Sequence, residues 1–199
     1  MRRLSILALC TILTLLLSCT PRDFLTRRLA ADLIAASPAF RAQPRFQLRT
    51  GIVSNQDYLS SDYVVLQHRG WISATNAPCP AALAPPPCWE ITLTPSGVDT
   101  FQTLVAPGDA SRQSFSIPAA RRELIAVTGI ARQGDSADIE FTWQWIPLNE
   151  VGAVLYSSEV HYRSTVGFRN YDDGWRLVES TPHPPQSLDD ALKNAEPAP

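Results

Sequence analysis

The chain has 199 residues, of which 17 are basic and 19 are acidic, so its formal net charge is −2. Sixteen of the basic residues are arginine and one is lysine. Such a balance leaves no electrostatic footprint for nucleic-acid binding. The length is sufficient for one large domain or two small ones.

The N-terminus has the residue order of a secretory signal. Arg2 and Arg3 precede an uncharged apolar run over 4–17, and these 14 residues are too few to cross a hydrocarbon core as a helix. The run ends in Leu16-Leu17-Ser18-Cys19, which resembles the lipobox of bacterial lipoproteins. We therefore expect residues 1–18 to be a signal peptide, which leaves a mature chain with 15 basic and 19 acidic residues.

The lipobox resemblance implies a lipid anchor. In that family the cysteine, here Cys19, is diacylated on its sulfur, and the peptide bond on its N-terminal side is cut. Each buried methylene contributes about 0.8 kcal/mol, so two or more acyl chains hold a protein firmly on a membrane. Thr20 follows where an aspartate favours the inner membrane, so the resemblance favours the periplasmic face of the outer membrane. The alternatives are an ordinary signal peptide with a fortuitous cysteine and a retained transmembrane anchor.

Predicted helices and strands alternate in the first half of the mature chain, 19–106. Thr20-Pro21 has the residue types of a helix cap and first turn, and apolar residues continue at helical spacing to about Ala36. The later predicted elements are a strand over 46–53, a helix over 61–69 closed by Gly70, and a strand over 89–94 that ends in a turn at Pro95-Ser96-Gly97.

Two cysteines remain after Cys10 leaves with the signal peptide and Cys19 is acylated. Cys79 and Cys88 bracket a proline-rich stretch that fits neither a helix nor a sheet ladder. In an oxidising compartment two thiols that close such a short loop form a disulfide, which contributes about 2–3 kcal/mol on the chain-entropy estimate. The competing interpretation, a metal site, lacks neighbouring ligands, because His68 is the only histidine close in sequence.

A segment of the first half resembles the helix and wing of winged-helix proteins. It comprises Leu66, Gly70-Trp71-Ile72, a loop, and Ile91-Thr92-Leu93-Thr94-Pro95-Ser96-Gly97. In that family a leucine-rich helix ends in glycine and an aliphatic residue, and a hairpin ends in a Leu-Thr-Pro-x-Gly turn. The resemblance implies a shape and no DNA-binding role, since His68 and Arg69 are the helix's only possible phosphate contacts. An unrelated α+β arrangement is the alternative.

Near Ala106-Pro107-Gly108-Asp109 the predicted elements change from mixed helices and strands to strands almost alone. The second half, 107–181, accordingly has period-two hydrophobicity. In 138–145 four apolar residues share one face and four polar residues the other. Further strands are predicted over 122–131, 159–171 and 175–179, with a tight hairpin at Asp172-Asp173-Gly174. The predicted fold class is α+β, with a mixed helix and strand N-terminal half followed by a four-stranded antiparallel β-meander.

The second half also carries a resemblance that implies no chemistry. Its strings Val127-Thr128-Gly129-Ile130, Trp143-x-Trp145-x-Pro147 and Tyr171-Asp172-Asp173-Gly174-Trp175 resemble hypothetical bacterial proteins with no assigned activity. The strand order alone resembles cystatin-like folds with curved sheets. The last residues, 182–199, are rich in Pro, Ala, Asp and Glu, and we expect them to be a disordered tail with at most one helical turn.

No catalytic, cofactor-binding or metal-binding motif stands out in the sequence. There is no Gly-x-Ser-x-Gly elbow, P-loop or dinucleotide fingerprint, and His68, His161 and His183 are not at ligand spacing. Asp172-Asp173 before a glycine is typical of a turn rather than a carboxylate pair. Three tryptophans could stack a sugar, but their in-phase strand positions are more typical of a core: Trp143, Trp145 and Trp175.

The polar side of the predicted sheet is the remaining candidate for a binding groove. Its residues are Glu140, Thr142, Gln144, His161, Arg163 and Arg169, although cross-strand pairing on a solvated sheet explains the same set. We therefore expect a non-enzymatic binding or assembly module that contacts membrane lipid through acylated Cys19, possesses no cofactor, and meets another envelope protein rather than nucleic acid. The alternative is an enzyme whose site is assembled from residues distant in sequence, which a deep pocket with convergent titratable groups would favour.

Overall fold

The computed structural model describes residues 24–83, 85–104, 114–178 and 187–198. It is an α+β fold built mostly from antiparallel sheets, as the sequence predicts. Its helices are α1 (Arg27–Ala36), α2 (Pro38–Arg41), α3 (Asn55–Tyr58), α4 (Ser61–His68), α5 (Pro95–Gln102), α6 (Glu150–Leu155) and α7 (Leu188–Lys193). Its strands are β1 (Arg45–Arg49), β2 (Gly51–Ser54), β3 (Ile72–Ala77), β4 (Cys88–Leu93), β5 (Ser114–Pro118), β6 (Ala120–Gln133), β7 (Ser136–Pro147), β8 (His161–Tyr171), β9 (Gly174–Leu177) and β10 (Glu196–Pro197).

The largest sheet, called the central sheet below, contains β6 to β10. Its order is β10-β8-β7-β6, with β9 also paired to β8, and all pairings are antiparallel. The four strands predicted after residue 120 therefore lie in one sheet, but a fifth strand from the C-terminal segment joins them. Gly134 and Gly174 occupy the two hairpin turns with φ of 64° and 121°, a backbone region that favours glycine.

One face of the central sheet is buried beneath α1, α2 and α7. Ile139, Phe141, Trp143, Val166 and Phe168 pack there against apolar residues of the three helices, and we call this cluster the sheet core. The alternation of apolar and polar residues along β7 dictates which face is covered, because side chains of a strand point to opposite sides in turn.

Helix α1 begins later than the sequence predicts. The hydroxyl of Thr26 accepts a hydrogen bond from the backbone N–H of Leu29, which makes Thr26 rather than Thr20 the N-cap. Thr20 and Pro21 lie outside the described residues, and Phe24 to Thr26 are not helical. The predicted end near Ala36 is confirmed, because Ser37 ends α1 and caps α2, whose first residue is Pro38.

A second core lies outside the central sheet. The pair β1–β5, the three-stranded sheet β2-β4-β3 and helices α4, α5 and α6 enclose a cluster that we call the second core: Phe46, Leu48, Val53, Tyr63, Leu66, Trp71, Ile72, Ile91, Phe101, Phe115, Ile117, Ala119 and Val151. The predicted helix over 61–69 is confirmed within one residue, since α4 ends at His68 and Gly70 follows with φ of 72°.

Two predicted elements of the second core have a different form. The strand expected over 46–53 is divided, because Gly51 adopts a φ of 85° and turns the chain from β1, which pairs with β5, into β2, which pairs with β4. The turn expected at 95–97 is the first turn of α5. Thr94 caps that helix through the N–H of Gly97, and Pro95 occupies its first position, where the missing N–H of proline costs nothing.

The C-terminal segment over 187–198 is folded, which corrects the expectation of a disordered tail for these residues. Ser187 caps α7 through the N–H of Asp190, and Leu188, Ala191 and Leu192 are buried in the sheet core. These apolar residues share one side of a short helix. Without the helix, part of the apolar face of the central sheet would be exposed to water, so the helix covers it. Sequence composition alone missed the helix because its stability comes from this docking.

The buried residues divide the chain differently from the expected domains 19–106 and 107–181. Helix α1 belongs to the first of these ranges, yet Ala30 and Ile34 pack into the sheet core. Helix α6 belongs to the second, yet Val151 packs into the second core.

Candidate functional site: the open face of the central sheet

The polar residues of the central sheet lie together on its uncovered side, which we call the open face. On β7, Glu140, Thr142 and Gln144 are half-buried and alternate with residues of the sheet core. Across the β7–β8 ladder, Thr142 lies opposite Arg163, and Gln144 lies opposite His161. The structure thus brings together five of the six predicted groove residues, while Arg169 lies further along β8, opposite Ser136.

Most polar side chains of the open face have a partner within the face. The amide of Gln144 donates to a Glu123 carboxylate oxygen at 3.0 Å, and the Thr128 hydroxyl donates to Glu140 at 3.1 Å. The guanidinium of Arg163 lies 3.4 Å from the Glu196 carboxylate on β10. These contacts fit the cross-strand interpretation, and exposed pairs of this kind contribute little to stability, about 0–1 kcal/mol each. They hold the side chains in place without removing them from solvent.

A cleft of about 410 Å³ lies at one edge of the open face. Glu140, Arg163 and Thr165 contribute from the sheet, and Asn194 and Glu196 contribute from the C-terminal segment. Two carboxylates, a guanidinium, a hydroxyl and an amide equip the cleft to exchange hydrogen bonds and charge with a polar partner. Sequence reasoning missed Asn194 and Glu196, because no sequence pattern places residues of an expected disordered tail beside β8.

The inner wall of this cleft is rigidly built. The indole N–H of Trp143 donates to the Ser164 hydroxyl at 3.0 Å, and that hydroxyl donates to the carbonyl of Ala191 at 2.9 Å. Ser164 is buried, so this chain of hydrogen bonds connects the sheet core to α7 in a water-poor environment. Helix α7 and the cleft residues that follow it are therefore held at a fixed position against β8.

The three tryptophans considered as a possible sugar-stacking surface are core residues. Trp143 and Trp175 are buried, and Trp145 packs at their margin. The guanidinium of Arg122 lies 4.6 Å from the ring centre of Trp145, and it donates to the carbonyls of Ala39 and Ala42 at 3.0 Å each. Burial lowers the pKa of Arg122, while the nearby Asp189 carboxylate opposes that shift. Arg122 thus fastens the end of α2 to the central sheet.

The other predicted site residues are placed as follows. The sulfur atoms of Cys79 and Cys88 are at disulfide distance, 2.06 Å, with a Cα separation of 5.2 Å. Cys19 and His183 lie outside the described residues. Asp172 and Asp173 occupy the turn between β8 and β9, where Asp173 pairs with Arg176. Within the described ranges, no group of three or more His, Cys, Asp or Glu side chains could hold a metal ion.

A larger cleft of about 680 Å³ lies where the β1–β5 pair meets the β2-β4-β3 sheet. Arg49 and Asp57 supply opposite charges, Ser114 and Ser116 supply hydroxyls, and Ile52 supplies an apolar wall. The Ser116 hydroxyl already accepts hydrogen bonds from Arg45 and Gln47. The described lining contains no histidine or cysteine to activate a nucleophile.

In the part of the chain that the structure describes, no helix has the length and apolar character needed to cross a bilayer. No protein-family model, curated protein or solved structure matches this chain.

Proposed function

We propose that this protein is a lipid-anchored component of the bacterial cell envelope, acylated at Cys19 and held at the periplasmic face of the outer membrane. The order of features in residues 2–19, two arginines, then an apolar run, then a lipobox-like end, supports the anchor. Thr20 after the cysteine supports the outer membrane. A cysteine pair at disulfide distance is consistent with an oxidising compartment.

We further propose that the protein is a non-enzymatic binding or assembly module, and that the open face contacts another envelope protein. The observation that supports this role is the asymmetry of the central sheet. Three helices cover one face, whereas the other presents exposed and half-buried polar side chains and ends in the 410 Å³ cleft. A surface of this composition favours a polar partner, because its carboxylates and guanidinium groups gain from matching charges and hydrogen bonds.

The first half supports a winged-helix-like shape for the segment from β2 to β4. Helix α4 is followed by the antiparallel pair β3–β4, and β2 lies on the other side of β4. We propose this likeness for shape alone. We expect no DNA binding by this segment. Binding of duplex DNA to the purified protein at physiological salt would contradict that expectation.

The lipid anchor is tested by changing Cys19→Ala. The variant should fail to incorporate a fatty-acid analogue, and it should appear as an unprocessed precursor or leave the membrane fraction. A matched control is Cys10→Ala, because that cysteine lies in the expected signal peptide and its loss should leave labelling unchanged. Continued labelling of the Cys19→Ala chain would overturn the proposed anchor.

The binding surface is tested by a photo-crosslinking residue placed at His161 or Thr165 in cells. Both side chains are exposed on the open face, so both should give the same cross-linked partner. Gln102 is a matched control, since it is exposed on α5, which packs against the second core. Cross-links from Gln102 alone, or none from the open face, would contradict the proposed docking surface.

A further inference from the structure

The position where the folded body begins limits its distance from the proposed anchor. Leu25 is 9% exposed and packs in the sheet core, whereas Phe24, one residue earlier, is 68% exposed. Cys19 precedes Leu25 by six residues in the sequence. Six fully extended residues span about 20 Å, so an acylated Cys19 would hold this part of the body next to the lipid.

The contacts of α1 and α2 show which end of the central sheet this is. Arg27, at the start of α1, donates to the carbonyl of Thr128, whereas Arg122 donates to the carbonyls of Ala39 and Ala42 at the end of α2. The helices therefore run opposite to β6, and the chain enters nearest to the end of β6. That end carries both hairpin turns, which are joined by a hydrogen bond from the N–H of Asn170 to the carbonyl of Asp135.

We call this part of the molecule the tip end and define it as residues 24–28, 132–136 and 169–176. It contains two exposed aromatic side chains, Phe24 and Tyr171, the latter 50% exposed. The guanidinium groups of Arg169 and Arg176 lie 6.0 and 5.5 Å from the ring centre of Tyr171.

The tip end has a positive charge balance, although the whole chain has a net charge of −2. Asp135 and Asp173 pair with Arg169 and Arg176, so part of the charge is compensated within the surface. The arginines are Arg27, Arg28, Arg132, Arg169 and Arg176, and the carboxylates are Asp135, Asp172 and Asp173. The balance is therefore two positive charges.

Exposed aromatic rings beside arginines suit the headgroup region of a bilayer. An aromatic ring is stable at the boundary between hydrocarbon and water, and an arginine can keep its apolar stem near the ring while its guanidinium meets a phosphate. Basic residues next to a membrane are also attracted by anionic lipids. The tip end joins these properties to the part of the body that lies nearest to Cys19.

We infer that the tip end is a membrane-contact surface that rests on phospholipid headgroups and sets the orientation of the protein. The inference rests on the proposed acylation of Cys19. In this orientation the strands of the central sheet stand steeply on the membrane, and the open face points sideways. A partner in the periplasm can then reach the open face without displacing lipid.

The orientation is tested on the full acylated protein in vesicles of phosphatidylethanolamine and phosphatidylglycerol that contain a lipid-borne quencher. A fluorophore is attached to Asp172→Cys, which keeps Tyr171, or to the matched control Ser158→Cys. Both positions are exposed, and they lie beyond opposite ends of β8, which spans about 33 Å. Intact-mass analysis shows that each chain carries one label and that Cys79 and Cys88 remain paired.

The label at 172 should be quenched strongly and the label at 158 should not. Adding Tyr171→Ser to the Asp172→Cys chain should reduce the quenching, because the ring no longer holds the turn at the interface. Equal quenching at both positions, or stronger quenching at 158, overturns the inference. The mass of the same purified chain separates the two proposals: a missing acyl group overturns the anchor and the orientation with it, whereas an acylated chain without quenching at 172 overturns the orientation alone.

Discussion

The sheet core and the second core are built in different ways. The second core comes mostly from one continuous stretch, β1 to β5, to which α6 adds Val151. The sheet core joins three separate stretches of the sequence: α1 and α2, the strands from β6 to β9, and α7. The contact between Arg27 and Thr128, for example, closes a separation of 101 residues.

This difference shows where each core obtains its stability. A short sequence separation lowers the entropy that must be lost before a contact forms, and a covalent link lowers it further. The hairpin β3–β4 of the second core has both advantages, because it is local and the Cys79–Cys88 pair closes its loop, whereas β1 and β5 pair across the full length of that stretch. The sheet core depends instead on helices from both ends of the described chain, whose apolar residues cover one face of the central sheet.

The largest expected effects come from truncating the centre of each core. Trp143→Ala and Phe101→Ala remove side chains that are 2% and 1% exposed, so each should lower the free energy of unfolding by about 3–5 kcal/mol. Trp145 and Tyr156, whose ring centres lie 5.1 Å apart, connect the two cores. Both variants should therefore shift one common transition in urea, followed by far-UV and near-UV circular dichroism. Two separate transitions, each moved by only one variant, would show that the cores unfold independently.

Removal of the cysteine pair should destabilise the protein through the loop between β3 and β4. The double variant Cys79→Ala and Cys88→Ala should have a free energy of unfolding lower by about 2–3 kcal/mol, because the ten-residue loop gains freedom in the unfolded chain. Amide exchange should become faster in β3 and β4, and the midpoint of the common urea transition should fall. An unchanged exchange rate in β3 and β4 would contradict this role of the cross-link.

A smaller loss of stability is expected when one methyl group is added in the second core. The Cβ of Gly97→Ala would lie 1.9 Å from the carbonyl oxygen of Trp71, so α5 would have to move, at a cost of about 1–3 kcal/mol. Gly129→Ala is the control in the central sheet, because its nearest neighbour, the Cβ of Glu140, is 3.4 Å away. Thermal unfolding of both variants measures the difference. Equal stability of the two would show that α5 can shift freely away from Trp71.

The smallest effect concerns alkaline pH and also falls on the second core. Burial raises the pKa of Tyr63, whose hydroxyl donates to the Arg49 carbonyl and accepts from the Arg49 N–H. Above the usual pKa of about 10 the unfolded chain loses this proton first, so stability should fall as the pH rises towards the raised pKa of Tyr63. Tyr63→Phe should cost about 1 kcal/mol at neutral pH and weaken the alkaline loss. An unchanged pH dependence of the urea midpoint would contradict this role of Tyr63.

Sequence patterns located most strands and failed where a local pattern had two outcomes. Alternation along 138–145 predicts both the strand and its covered face, because the period of two is a local property. Thr94-Pro95 fits the end of a strand as well as a helix cap, and only the packing of α5 on Trp71 decides between them. Gly51 likewise divides a predicted strand, because its two halves find partners in different sheets.

The polar groove shows the same limit for the candidate site. Five of its six predicted residues are neighbours on the open face because they follow from strand alternation and from the antiparallel order of β7 and β8. Asn194 and Glu196 complete the cleft from a segment whose composition predicts disorder. Their position depends on the docking of α7, which no residue spacing within that segment reveals.

The sequence by itself determined the period of each strand, the hairpin turns and the pairing of Cys79 with Cys88, because these depend on neighbours a few residues apart. Only the tertiary structure decided which segments share a core. Helix α1, helix α7 and strand β10 each bury or pair their residues against strands that are distant in sequence. The stability of the two helices comes from the apolar surface that they cover together, and that surface exists only after the central sheet has formed. Strand β10 is exposed and is held by its pairing with β8.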